Sequence, residues 1–365
     1  MFSHKRPGRK SKQIILHKRP DLLHQKNMYN PFWNTQERRL RFFWRLFLQS
    51  LLLLIPFSFF TSLTFALVRF FFSSNESLLS PSGLLLNTLS GIWMAASVIF
   101  SVWISGKYFD HRSFQEYGFH FKSGWRRDFI FGLVLGALLM VFIFLIELSA
   151  GWIHIDGFFQ PTLPGFSFMP GILGALIFFV CVGVYEELWI RGYLLHNLAE
   201  AINLKFLSPR IGLLAAYVIS SVIFGFLHGG NPNASTVSSV SITAAGLFLG
   251  LGFILTGDQA IPIGIHITWN FFEGNVFGFP VSGISSTATI IHINQTGPLV
   301  WTGGAFGPEA GLIGLAAILL GCVLTLAWIR FHSGKVVLQD RLAQFQPITG
   351  GGLDLRGNVS PDNYP

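Results

Sequence analysis

Ionisable and amide side chains are sparse in the long apolar runs of this 365-residue sequence, and those whose spacing could do chemistry fall in three short stretches. The run VYEELWIRGYL carries Glu186, Glu187 and Arg191. FGFLHGG carries His228, and GIHITWNFFEG carries His266, Asn270 and Glu273. Such groups cost roughly 2.5–3.5 kcal/mol each at the centre of a membrane helix, so a functional reading is their default. Residues four apart share a helix face, and Glu before Arg is the favourable order. Glu187 and Arg191 are so placed and can neutralise one another. Glu186 has Ile190 at its own i+4 position, which leaves its carboxylate free for acid–base chemistry. The plainer account, an ion pair pinning helices together, fits Glu187 and Arg191 equally well and Glu186 less well.

Chain distance links the first two stretches. The turn between them falls in LKFLSP around Leu207, with Glu186 21 residues before it and His228 21 residues after it. In an antiparallel helical hairpin rising about 1.5 Å per residue, both side chains arrive at one height, where a Glu and a His can share a water molecule. His266 and Asn270 repeat the i, i+4 spacing and present a hydrogen-bonding pair beside Trp269 and Phe271. Phe224, four residues before His228, is by itself ordinary packing. Glu273 and Glu147 lie near the ends of apolar runs and read as interfacial.

The elements that must position these groups are membrane spans. The chain is 51% hydrophobic and 15% aromatic but only 12% charged, against about 25% charged in a soluble domain, and its mean hydropathy is +0.53. That composition excludes a disordered protein, a disulfide scaffold and a cytosolic enzyme. Cys181 and Cys322 both lie in apolar runs and suit neither a disulfide nor a metal knuckle. Apolar stretches near 46–70, 84–105, 129–150, 171–193, 210–228, 242–256, 261–279 and 311–330 are candidates to cross a bilayer, which takes roughly 20 residues. The sixth is short and glycine-rich. The expected fold is an all-α polytopic helical bundle of about eight spans.

Twelve of the 25 Lys and Arg residues sit in residues 1–45, and the rest, Arg69 excepted, attend alternate connections and the end of the chain. The connections 73–83, 151–170, 229–241 and 280–310 contain none. This is a positive-inside pattern with both termini cytoplasmic, in a multi-pass protein of the cell membrane. The basic arm, 1–45, reads as a topology signal that contacts anionic lipid, with no nucleic-acid partner. The transmembrane domain is 46–330. The tail, 331–365, is expected to be cytoplasmic and disordered at its end. No cleavable signal peptide is expected, because the first apolar run is full span length.

The ordered set Glu186-Glu187-x-x-x-Arg191, Phe224-x-x-x-His228 and His266-x-x-x-Asn270 resembles the CAAX protease and bacteriocin-processing family, intramembrane proteases related to the type II CAAX prenyl endopeptidase. The resemblance covers roughly residues 170–280. It implies an endopeptidase that hydrolyses membrane-associated or lipid-anchored polypeptides. Glu186 would activate the attacking water with help from His228, His266 and Asn270 would hold the oxyanion, and Glu187 and Arg191 would support the site. Members are often called metalloproteases, and Glu186, His228 and His266 could supply three ligands to Zn²⁺ with an open fourth position. There is no HExxH helix, however, and a zinc-bound Glu could not also be the free base. The reading therefore favours a glutamate-activated water without a required metal.

Two other classes compete. A non-catalytic immunity or scaffold protein could keep the same fold as a partner-binding surface. A transporter could use Glu and His as a proton relay, but the sequence shows no internal repeat of the transporter kind.

Overall fold

The structure is a computed structural model and describes residues 30–35, 37–71, 81–162, 167–203 and 207–345. Most of the basic arm and the end of the tail therefore lie outside the described residues.

Long apolar runs become helices because only an internally hydrogen-bonded backbone is stable in hydrocarbon. Helices α1 (Phe42–Phe71) and α2 (Pro81–Ser105) form a hairpin, with Pro56 inside α1 without ending it. Helix α3 (Ser123–Ser149) follows. Helix α4 (Phe168–Glu187) runs through π-helical turns at Leu188–Leu195 into α5 (His196–Ile202), a continuous rod of 35 residues. Helix α6 (Pro209–Leu227) begins with proline at its first position, where no amide hydrogen is needed. Helix α7 (Thr236–Thr256) opens on a capping box between Ser235 and Ser238 and stops at Gly257, whose φ of 75° suits glycine. Helix α8 (Ala260–Phe271), the short α9 (Leu299–Thr302) and α10 (Leu312–Ser333) complete the bundle.

Seven helices among the described residues are long and apolar enough to cross a membrane, against the eight expected. The missing one is the expected span 261–279. With its π-helical turn at Phe272–Val276, α8 ends at Val276, about 25 Å from its start and short of the ~30 Å hydrocarbon core. All but one residue from Ala260 to Trp269 are buried. An element apolar on every side belongs in the middle of a bundle, and α8 is that middle, packed on α3, α4 and α7. The glycine-rich sixth stretch, by contrast, is a full-length helix.

Small residues let α8 approach its neighbours closely, as in membrane helix packing generally. A Cβ on Gly264 would lie 2.5 Å from the Phe129 carbonyl oxygen, and one on Gly132 would lie 2.6 Å from that of Ile261. Gly183 of α4 faces Ile267 in the same way.

Two connections that read as plain loops pair with each other. Taking β1 as Trp33–Asn34 and β2 as Arg39–Leu40, strand β3 (Ile153–Pro161) lies antiparallel to β4 (Ala288–Gln295), from Ile153 opposite Gln295 to Pro161 opposite Ala288, with a bulge between Ile155 and Gly157. At the other end of the bundle, a buried ionic node ties the chain together. Arg45 pairs with Asp110, Arg39 and Arg112 with Glu200, and the Tyr117 hydroxyl donates to Asp110 at 3.1 Å.

Candidate active site

Glu187 is fully buried, and its Oε1 accepts two hydrogen bonds. One comes from Arg191 Nη1 at 2.8 Å, the expected i, i+4 contact, and the other from His266 Nδ1 on α8 at 2.7 Å. Arg191 also donates from Nη2 to the Gly246 carbonyl of α7 at 3.0 Å, and its guanidinium sits 4.5 Å from the centre of the Phe224 ring. A carboxylate already paired with arginine can only accept, so the His266 proton must be on Nδ1. That turns His266 Nε2 towards Glu186, whose Oε2 stands 3.7 Å away.

Glu186 itself, on the last turn of α4, keeps a fifth of its side chain exposed. The π-helical turns begin one residue after Glu187, an irregularity frequent at functional positions. It widens the helix just where two successive carboxylates must face different partners.

His228 closes α6, half-buried, with Nδ1 2.8 Å from the Phe224 carbonyl oxygen. A carbonyl cannot donate, so Nδ1 carries the proton and Nε2 presents its lone pair. Phe224 lies between the two imidazoles, its ring centre 4.7 Å from that of His228 and 6.2 Å from that of His266. Asn270 follows one turn after His266, and its amide makes no hydrogen bond among the described residues.

Glu186, His228, His266 and Asn270 all line one cavity of about 520 Å³. Glu187 and Arg191 stand behind it. One side of the cavity is apolar, with Leu53 from α1, Met94 from α2 and Phe178 from α4. The other side is polar and comes partly from the 280–310 connection, including Ser282 and Glu309. Ser282 Oγ donates to Glu309 at 2.7 Å, and Asn231, three residues after His228, donates to the Ser282 carbonyl at 3.0 Å. These wall residues carry no helical periodicity. Their only signal in the sequence is a charge, Glu309, within a glycine-rich connection.

Glu273 and Glu147 are not interfacial as their positions near run ends suggested: both are fully buried. Glu273 lies against Gly307, where the 280–310 connection folds back over α8, and Glu147 accepts from Gln295 of β4 at 3.2 Å. The covering connections bury what an isolated span end would expose.

Among the described residues, no group of three or more His, Cys, Asp or Glu side chains is placed to hold a metal ion. His266 has one ring nitrogen committed to Glu187. That contact uses Nδ1 alone, so His266 Nε2 faces the same cavity as Glu186 and His228, and the chemistry below is drawn from the side chains themselves.

Residues 168–272 match the family described as type II CAAX prenyl endopeptidase Rce1-like. That segment is similar to the type II CAAX prenyl endopeptidase family, and it spans less than a third of the chain. The Rce1-like segment runs from the start of α4 to the end of α8 and contains all six candidate site residues. It leaves α1 to α3, the 280–310 connection and α10 outside. No curated protein and no solved structure matches the chain. With seven apolar helices, among them those of the Rce1-like segment, the protein is a multi-pass membrane protein.

Proposed function

We propose that the protein is an intramembrane endopeptidase of the cell membrane that cleaves membrane-associated or lipid-anchored polypeptides. The observation that carries this reading is the Glu187–His266 hydrogen bond, which aims Nε2 at Glu186 inside a cavity shared with His228 and Asn270. Glu186 takes a proton from water, whose oxygen attacks the scissile carbonyl carbon. His228, with its Nε2 lone pair free, orients that water. The tetrahedral oxyanion is met by the Asn270 amide and by His266. Because Nδ1 is committed to Glu187, His266 can donate from Nε2 only as the imidazolium. The proton held by Glu186 then passes to the leaving nitrogen as the C–N bond breaks. Donors fixed in a site screened from bulk water count for more than they would in solution.

The apolar wall suits a substrate that arrives from the bilayer. Cleavage of a membrane-anchored fluorogenic peptide by the full-length protein in nanodiscs is the test. Glu186→Ala and His228→Ala should each abolish cleavage while leaving thermal unfolding unchanged. Full activity in either variant rejects the reading and returns the fold to a binding or immunity role.

A further inference from the structure

A second concave feature shares no lining residue with the cavity above. It is an open groove of about 620 Å³ between α3 and α10. Its chemistry divides along its length. At one end, the first turns of α3 bring Ser123, Arg126 and Arg127 to the groove. Further along, Ile130 and Val134 line it and are 59% and 51% exposed. Arg126, Ile130 and Val134 are spaced by four and so form one stripe, with Ile130 and Val134 about 6 and 12 Å along the axis from Arg126. Arg127 and Phe131 form the neighbouring stripe. Across the groove, Trp328 of α10 stacks on Phe131, ring centres 4.2 Å apart, and lies 6.0 Å from the Arg127 guanidinium.

The charges at this end are unequal. Asp128 is committed to the Trp328 indole at 3.0 Å and to Arg127 at 3.3 Å. Arg126 has no ion-pair partner among the described residues. The free end of a 27-residue helix adds partial positive charge beside it. A tryptophan and two arginines at the end of a membrane span mark the headgroup level of a bilayer, and the exposed stripe beyond them points where acyl chains lie. An anion with a long apolar tail complements both halves; a free anion leaves the apolar half unmatched.

We propose that this groove binds an anionic glycerophospholipid, its phosphate held by Arg126 and Arg127 and one acyl chain laid along Ile130 and Val134. The site is independent of the peptidase reading, since it lies outside the Rce1-like segment and touches none of the candidate catalytic groups.

The test uses delipidated full-length protein in detergent and native mass spectrometry. Phosphatidylglycerol, phosphatidylcholine and inorganic phosphate are the probes. Wild type should bind phosphatidylglycerol at least tenfold tighter than phosphatidylcholine, and inorganic phosphate should not displace it. Arg126→Gln and Arg127→Gln should each weaken phosphatidylglycerol binding about fivefold, the factor one arginine carries beside an anionic lipid. Val134→Trp, an apolar change on a lipid-facing position, should also weaken it by filling the tail path. The proposal is overturned if the double arginine variant binds phosphatidylglycerol as wild type does, or if the two lipids bind equally. Displacement by inorganic phosphate would overturn it too, since the tail would then contribute nothing.

Discussion

Glu187 and His266, 79 residues apart in the chain, share a buried hydrogen bond of 2.7 Å. That contact joins α4 to α8 and fixes which nitrogen of His266 faces the cavity. It also places the Glu187 carboxylate between one arginine and one histidine. Glu187→Gln keeps the shape but replaces the anion that holds the Nδ1 proton. We expect kcat to fall about 10- to 100-fold, the usual loss for a group that orients a reacting histidine, with KM little changed. Glu187→Ala should instead destabilise the fold by about 3–5 kcal/mol, because it strands the buried Arg191 charge. Steady-state kinetics and thermal unfolding of the two variants separate these effects.

Asn270 is the donor whose removal disturbs least, since its amide has no hydrogen-bond partner among the described residues to strand. Asn270→Ala should lower kcat about 100- to 1000-fold, as loss of an oxyanion donor does elsewhere, without shifting the unfolding temperature. His266→Ala should cost at least as much. The double variant should be far less impaired than the product of the two, because both donors serve one oxygen. Single-turnover rates on one peptide measure this directly.

The close approach of α3 and α8 sets the depth at which His266 sits. Gly264→Val places a side chain where the Phe129 carbonyl already lies, and backbone cannot step aside as a flexible side chain can. Destabilisation by about 1–3 kcal/mol or more is expected, read as a lower unfolding temperature in detergent. Gly230→Ala, which meets nothing within 4 Å, should leave stability unchanged.

Tyr117 gives the ionic node a pH signature. Its phenol is completely buried, and that burial, followed by the neighbouring Asp110 charge, pushes its pKa well above 10. An acid whose pKa is raised by folding stabilises the protein fully below its unfolded pKa and progressively less above it. Stability should therefore be insensitive to Tyr117 below about pH 10 and fall as pH rises beyond that. Tyr117→Phe should remove that part of the alkaline loss. Chemical denaturation between pH 8 and 11 on both forms provides the comparison.

Much of this site was legible from spacing alone. Glu187 and Arg191 meet because four residues on one helix is a local distance, and His266 and Asn270 reach the same cavity for the same reason. Glu186 and His228, at equal chain distance from Leu207, both line one cavity. What spacing could not supply was the meeting of helices. Nothing local says that His266 should find Glu187 rather than Asn270 or Glu273, or that α8 should be enclosed instead of facing lipid. Nor does alternation in these connections, which lack Lys and Arg, say that residues 153–161 should pair with 288–295, which is what buries Glu147 beneath Gln295.

By itself the amino-acid order determined which segments are apolar and helical, and which polar groups share a face. Those features depend on groups a few residues apart and on the fixed pitch of a helix. Only the tertiary structure decided which faces touch, which carboxylate holds the imidazole and which is left to the water, and how deep the central helix lies. These are set by close-packed contacts between distant parts of the chain, where a single glycine, or a loop folded back over a glutamate, changes the outcome.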